Sequence, residues 1–179
     1  IECIDEIAKL AGVGEQVAEV TAKAMRGEIA FNDSLTHRVA CLEGVPVAHL
    51  KKIRDSLPIM PGIQSLLAYL KQHNWKLAIA SGGFTFFADH LKARLGLDFA
   101  ISNTLAVSEN LLTGKVEGEI VNADVKARTV KQLAEKWQIP TSQTVAMGDG
   151  ANDLVMMAES ALGVACHGKP LVNEKAGVA

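Results

Sequence analysis

Apolar positions in residues 1–57 recur with the period of a helix. Ile4, Ile7, Ala8 and Ala11, then Val13, Val17, Val20 and Ala24, fall on helical faces, with Gly12, Gly14 and Gly27 as breaks. Residues 34–42 and 47–57 predict two more short helices, the second opening beside Pro46. The texture changes at Leu57-Pro58-Ile59-Met60-Pro61-Gly62, a double-proline link. Beyond it Ile63, Leu66, Leu67 and Leu70 form an amphipathic stripe, and Leu77-Ala78-Ile79-Ala80 is apolar at every position. Such a run suits a parallel strand covered on both faces. A helix over about residues 85–95 and a second short run, Phe99-Ala100-Ile101, follow. Residues 105–121 alternate and carry turn residues, which predicts a hairpin. A helix over 126–137, a strand over 144–147, a helix through Leu154 and Ala158 and a strand over 162–165 complete the pattern. Strands alternating with helices predict an α/β fold with a right-handed parallel sheet. The expected division is a helical piece, residues 1–57, and an α/β piece, residues 58–179.

Composition narrows the class. The 179 residues are 49% apolar, enough for a packed core and too apolar for a disordered chain. Basic and acidic side chains number 18 and 20, a net charge of −2. They are not segregated: residues 1–57 carry 7 basic and 9 acidic groups, and residues 58–179 carry 11 of each. This balance argues against a nucleic-acid or membrane-surface partner. Cys3, Cys41 and Cys166 are an odd number without CxxC spacing, which predicts a reduced, cytoplasmic protein. No apolar run approaches the roughly 18 residues of a membrane span. Ile1-Glu2-Cys3-Ile4-Asp5 has neither the basic start of a signal peptide nor an initiator Met, so the chain is expected to begin inside a longer protein.

In an α/β sheet, ligands bind outside the carboxyl ends of the strands. Two such ends stand out. Gly148-Asp149-Gly150-Ala151-Asn152-Asp153 follows a buried strand, and Asp153 returns to the face of Asp149 if a helix has begun. The two carboxylates could form part of a Mg²⁺ cage. The string reads equally as a turn with a helix N-cap. Ser81-Gly82-Gly83 offers a hydroxyl and backbone amides at a strand-to-helix junction, either an anion cradle or an ordinary turn. Lys126, near a helix start, is poorly placed for the helix dipole, which hints at a ligand, although a lone Lys is usually solvated. Together a carboxylate rim, a phosphate cradle and a cation describe a phosphoryl-transfer site. The five His residues have no metal-ligand spacing.

Ser81-Gly82-Gly83-Phe84, Lys126 and Gly148-Asp149-Gly150-Ala151-Asn152-Asp153, in this order, resemble motifs two, three and four of the haloacid dehalogenase superfamily. Ile4-Asp5-Glu6-Ile7-Ala8, Ala24-Met25-Arg26-Gly27, Phe31 and Ser34-Leu35-x-x-Arg38-Val39 resemble the cap of its phosphoserine phosphatase family, so that the likeness spans the whole chain. The resemblance implies a Rossmann-like parallel sheet core with a small helical cap. It also implies Mg²⁺-dependent hydrolysis of O-phosphoserine to serine and phosphate, the last step of serine synthesis. Asp149 matches the Mg²⁺-binding carboxylate and Asp153 the neighbouring acid that supports the metal. Ser81 and Gly82 match the phosphate-binding hydroxyl and amide, Lys126 the lysine that neutralises nucleophile and phosphate, and Asn152 a substrate-contacting amide. Glu2 and Arg38 match the cap residues that hold the ammonium and carboxylate, and Met25 and Phe31 the apolar residues that close over the site. The physics agrees, since Arg38 can clamp a carboxylate and Glu2 can pair with an ammonium. A surface ion pair at Arg38 and a frayed Glu2 remain alternatives.

The family carries an Asp-x-Asp motif at the end of its first strand: a nucleophile that becomes an aspartyl-phosphate, and a general acid and base. The chain contains no Asp-x-Asp. The resemblance therefore puts both groups upstream of residue 1, and further core structure after Lys175. A protein of these residues alone is expected to hydrolyse no phosphoserine. Two other readings stand beside this one: a phosphatase or phosphotransferase for another small phosphomonoester, or a non-catalytic Mg²⁺- and phosphate-binding module. The expected partner is a small-molecule substrate, with a monomer or a homodimer both open.

Overall fold

A computed structural model of the chain describes residues 2–179. The contacts divide it into two compact units, one ending at Ile120 and the other spanning Val121–Ala179.

The first unit opens with four helices: α1 (Cys3–Leu10), α2 (Gly14–Met25), α3 (Phe31–Ala40) and α4 (Val47–Asp55). The helical apolar period buries Ile4, Ile7 and Ala8 of α1, Val17 of α2, Leu35 and Val39 of α3, and Leu50 and Ile53 of α4. Each large side chain buried in this way contributes about 1.5–3 kcal/mol. Next come α5 (Ile63–Gln72), β1 (Ala78–Phe84), α6 (Thr85–Leu95), β2 (Phe99–Ser108) and β3 (Leu111–Glu117). α6 stops at Gly96, whose left-handed φ of 64° lets the Leu97 amide turn back onto the Lys92 carbonyl at 2.9 Å.

β2 is one strand with two partners. Its first half runs parallel to β1, pairing Ala78 with Phe99 and Ala80 with Ile101. Its second half runs antiparallel to β3, pairing Thr104 with Glu117 and Ser108 with Leu111. The apolar pattern had split this strand into a short run and a separate hairpin arm, because Ser102-Asn103-Thr104 interrupts it. Ser102 and Asn103 are buried with partners: Ser102 Oγ donates to the Ser81 carbonyl at 3.0 Å, and Asn103 Nδ2 to the Gly82 carbonyl at 2.9 Å. A satisfied polar group can sit in a core that an unsatisfied one would destabilise.

The hairpin is also tied to the helical segment. The Gly44 amide donates to the Leu112 carbonyl and the Leu112 amide to the Val45 carbonyl, each at 2.8 Å. These bonds, and a core shared by α1, α3, α4, α6, β2 and β3, group residues up to Ile120 together. The contact boundary falls at Ile120.

The second unit holds α7 (Ala123–Lys136), a 3₁₀ turn (Thr141–Gln143), β4 (Val145–Gly148), a 3₁₀ turn (Ala151–Asp153), α8 (Leu154–Ala158), β5 (Leu162–Ala165) and α9 (Pro170–Lys175). β4 and β5 pair in parallel, Val145 with Leu162 through Gly148 with Ala165. Asn122 caps α7 by accepting the Val125 amide at 3.0 Å. α9, opened by Pro170, lay outside the expected elements. The two strands are apolar throughout, yet burial alternates: Ala146, Gly163 and Ala165 are covered, whereas Val145, Met147 and Leu162 are about 40% exposed. α8 packs on both strands and accounts for the covered face.

Candidate active site

At the carboxyl end of β4 the chain makes a tight turn that returns Asp153 to the strand. Lys126 Nζ donates to Asp153 Oδ1 at 2.8 Å, and both side chains are under 10% exposed. The other carboxylate oxygen, Oδ2, accepts the amides of Asp149 and Gly150, each at 3.2 Å. The carboxylate of Asp153 is therefore held by one ammonium and two amides, a charge-assisted arrangement that fixes the rim. Asp149 stands at the same turn, exposed, with no hydrogen bond or ion pair on its carboxylate among the described residues. It is a hard oxygen donor of the kind Mg²⁺ takes alongside waters. No group of three or more His, Cys, Asp or Glu among the described residues is arranged to hold a metal. Asn152 is exposed beside it.

The glycines of this string serve the protein's own side chains. A Cβ on Gly148 would lie 2.5 Å from Cβ and Cγ of Asp153. One on Gly150 would lie 2.6 Å from Asn152 Oδ1. The structure gives Gly148 to the seat of Asp153. Asp153 also sits in a 3₁₀ turn, one residue before the α-helix begins.

In the first unit, Ser81-Gly82-Gly83 lies inside β1 and not after it. The pairing with β2 breaks its register between Ala80 and Phe84, so these three residues leave the regular ladder. Their carbonyls are pinned by Ser102 and Asn103 as described, and Ser81 Oγ accepts the Gly83 amide at 3.0 Å. A Ser81 hydroxyl held by its oxygen keeps its hydrogen for another acceptor. Arg38 is 8% exposed on α3, and its only hydrogen bond among the described residues is a long one, Nε to the Ser34 carbonyl at 3.4 Å. Among the described residues no carboxylate pairs with it. Glu2 is exposed and caps α1, its carbonyl accepting the Asp5 amide at 3.1 Å. Met25 ends α2 and is 78% exposed, while Phe31 opens α3 packed against the core.

A family model, haloacid dehalogenase-like hydrolase, matches residues 1–160. The chain belongs to the haloacid dehalogenase-like hydrolases. It is 55% identical over 179 residues to a phosphoserine phosphatase of Vibrio cholerae, covering 100% of this chain and 55% of that protein. It is 49% identical over 173 residues to a phosphoserine phosphatase of Idiomarina loihiensis, covering 97% of this chain and 79% of that one. Among solved structures it resembles a substrate-bound phosphoserine phosphatase complex at a TM-score of 0.90 and 38% identity, over 99% of this chain and 84% of the other. The chain thus spans little more than half the Vibrio cholerae relative.

Within this haloacid dehalogenase-like chain, Lys126, Asp149 and Asp153 come together in one unit. Sequence reasoning missed Ser102 and Asn103, the two buried side chains that hold the phosphate-loop candidate. The signal was present, as three polar residues interrupting an apolar run, but it was read as a strand end.

Proposed function

We propose that the chain is part of a Mg²⁺-dependent phosphoserine phosphatase that cleaves O-phospho-L-serine to L-serine and phosphate. The observation that carries this reading is Arg38, 8% exposed on α3 and without a carboxylate partner among the described residues. A carboxylate-bearing substrate would supply the counter-charge that the described residues do not. In this reading Arg38 clamps the substrate carboxylate, Glu2 meets the ammonium, and Met25 and Phe31 shield the bound amino acid. Ser81 and Gly82 hold phosphate oxygens by hydroxyl and amide, and Asn152 makes a further substrate contact.

Lys126 neutralises charge at the phosphate, and Asp153 holds that ammonium in place by their 2.8 Å bond. Asp149 is the carboxylate of this chain that would hold Mg²⁺, with Asp153 supporting the rim from behind through its bonds to the Asp149 and Gly150 amides. When bound, the ion neutralises charge on the phosphoryl oxygens. The nucleophilic and acid–base aspartates are assigned to residues upstream of Ile1, because no Asp-x-Asp occurs in the 179 residues. We assign the helical segment, residues 1–57, as the cap and residues 58–179 as core, and the compartment as the cytoplasm; among the described residues no helix is long and apolar enough to cross a membrane.

The test uses the gene product with its upstream residues. Arg38→Ala should lower kcat/KM for phosphoserine roughly a hundredfold, the size of a lost charged hydrogen-bond pair, and that for p-nitrophenyl phosphate less than threefold. Equal losses on both substrates would remove the amino-acid assignment. A preparation verified to start at Ile1 should turn over neither.

A further inference from the structure

Ser34 lies on α3 one turn before Arg38, 1% exposed, and its hydroxyl has no hydrogen-bond partner among the described residues. Three threonines on helices of this chain satisfy their hydroxyls on the carbonyl four residues back. Thr21 bonds to Val17 at 3.0 Å, Thr36 to Asn32 at 2.9 Å and Thr129 to Val125 at 2.7 Å. The equivalent carbonyl for Ser34 is that of Ala30, which accepts the Ser34 amide at 2.9 Å and not the hydroxyl. Such local back-bonding is the ordinary fate of a helical Ser or Thr. Here it is not used, although burial makes an unpaired hydroxyl unfavourable.

The neighbour with the same deficit is Arg38. Its Nε reaches the Ser34 carbonyl, so the side chain folds back along α3 over Ser34. A buried hydroxyl without an acceptor and a guanidinium without a carboxylate partner among the described residues thus share one turn of one helix. What would satisfy the pair is an anion with two oxygens. A carboxylate engaged by an arginine fork keeps lone pairs free on each oxygen, and a hydroxyl can donate to one of them.

We propose that Ser34 is a substrate-specificity residue whose hydroxyl donates to the same carboxylate that Arg38 clamps. This rests on the phosphoserine reading above and deepens it. Its consequence is selectivity by unmet bonds: a phosphomonoester without the carboxylate leaves two buried donors unpaired, a stronger ground for rejection than a missing apolar contact.

The experiment compares Ser34→Ala and Ser34→Cys with the parent, in the gene product carrying its upstream residues. The substrates are O-phospho-L-serine and O-phosphoethanolamine, which differ only in the carboxylate, and urea midpoints are measured in parallel. Both variants should lose about tenfold in kcat/KM on phosphoserine, mainly through KM, equivalent to about 1.4 kcal/mol. They should change less than twofold on phosphoethanolamine, with urea midpoints unchanged or raised, because an orphaned hydroxyl has been removed. Phosphoserine kinetics that stay at the parent value while the midpoint rises overturn the proposal, as do equal losses on both substrates. Failure of both variants to fold overturns it as well, since the hydroxyl would then serve the fold. Absence of phosphoserine turnover in the parent itself removes the underlying reading; loss confined to the variants does not touch it.

Discussion

The two units treat buried charge in opposite ways. In the unit spanning Val121–Ala179, Lys126 and Asp153 are buried together, and each remaining lone pair of the carboxylate side that faces the turn finds an amide. In the unit ending at Ile120, Arg38 is buried almost as deeply with one long bond to a carbonyl, and Ser34 beside it has none. In the first arrangement the charge has its counter-charge within the fold, and the pair serves folding as well as chemistry. The second has no counter-charge among the described residues. A group that the fold has satisfied is expected to report its loss in stability, and a group that the fold has left unsatisfied should report it in binding.

The largest effect that could break this contrast is at Asp153. Asp153→Ala strips the partner from a buried ammonium and uncaps two amides, so it should cost about 3–5 kcal/mol, read as a fall in the urea midpoint of the Val121–Ala179 unit. A loss under about 1 kcal/mol would mean that Lys126 escapes to water and that the network is not structural. Gly148→Ala comes next. The added Cβ cannot coexist with Asp153 in its present seat, and overpacking of this kind costs about 1–3 kcal/mol. The two substitutions should be strongly non-additive: in an Asp153→Ala background the added methyl has no side chain to meet. Additive costs would show that Gly148 is required for some reason other than Asp153.

On the other side of the contrast, Arg38→Met removes an unpaired buried charge and keeps most of the volume. Its expected effect on the urea midpoint of the unit ending at Ile120 is nil or a gain of up to about 1 kcal/mol. A loss of 2 kcal/mol or more would place Arg38 with Lys126 among the structural charges.

The same contrast explains what could be read from the sequence. Helices were legible where one apolar stripe met one core, so α6 and the strand β5 stand at the predicted residues. The helices α3 and α7 begin three residues earlier than their apolar periods suggested, with Phe31 and the Asn122 cap marking the true starts. β2 was cut short because Ser102 and Asn103 carry no apolar signal. Their role is to bond carbonyls 21 residues away, which only the folded backbone brings near. At the candidate site the residue types were legible and their division of labour was not. Spacing alone made Asp149 and Asp153 two similar carboxylates. Geometry separates them into one free at the rim and one fully engaged behind it, because a 3₁₀ turn and a side-chain-free Gly148 let Asp153 fold back.

The smallest effect sharpens the comparison with a different ionisable group. Cys3, at the start of α1, is half-buried, and burial raises its thiol pKa above the ordinary 9.0, with the nearby Glu2 and Glu6 carboxylates acting in the same direction. This segment therefore disfavours a thiolate, as it leaves a guanidinium unpaired. The sign of the linkage follows: the folded state holds the Cys3 proton to higher pH than the unfolded state does. The stability it contributes is full below the unfolded thiol's pKa, and it is lost as pH rises through the raised folded value. Urea midpoints of the parent should fall from pH 8 to pH 10 more steeply than those of Cys3→Ala, and near pH 7 the two profiles should run parallel. Profiles that stay parallel from pH 8 to pH 10 would show that Cys3 opens to water too readily for burial to govern its proton, and would weaken the claim that the helical segment penalises uncompensated charge.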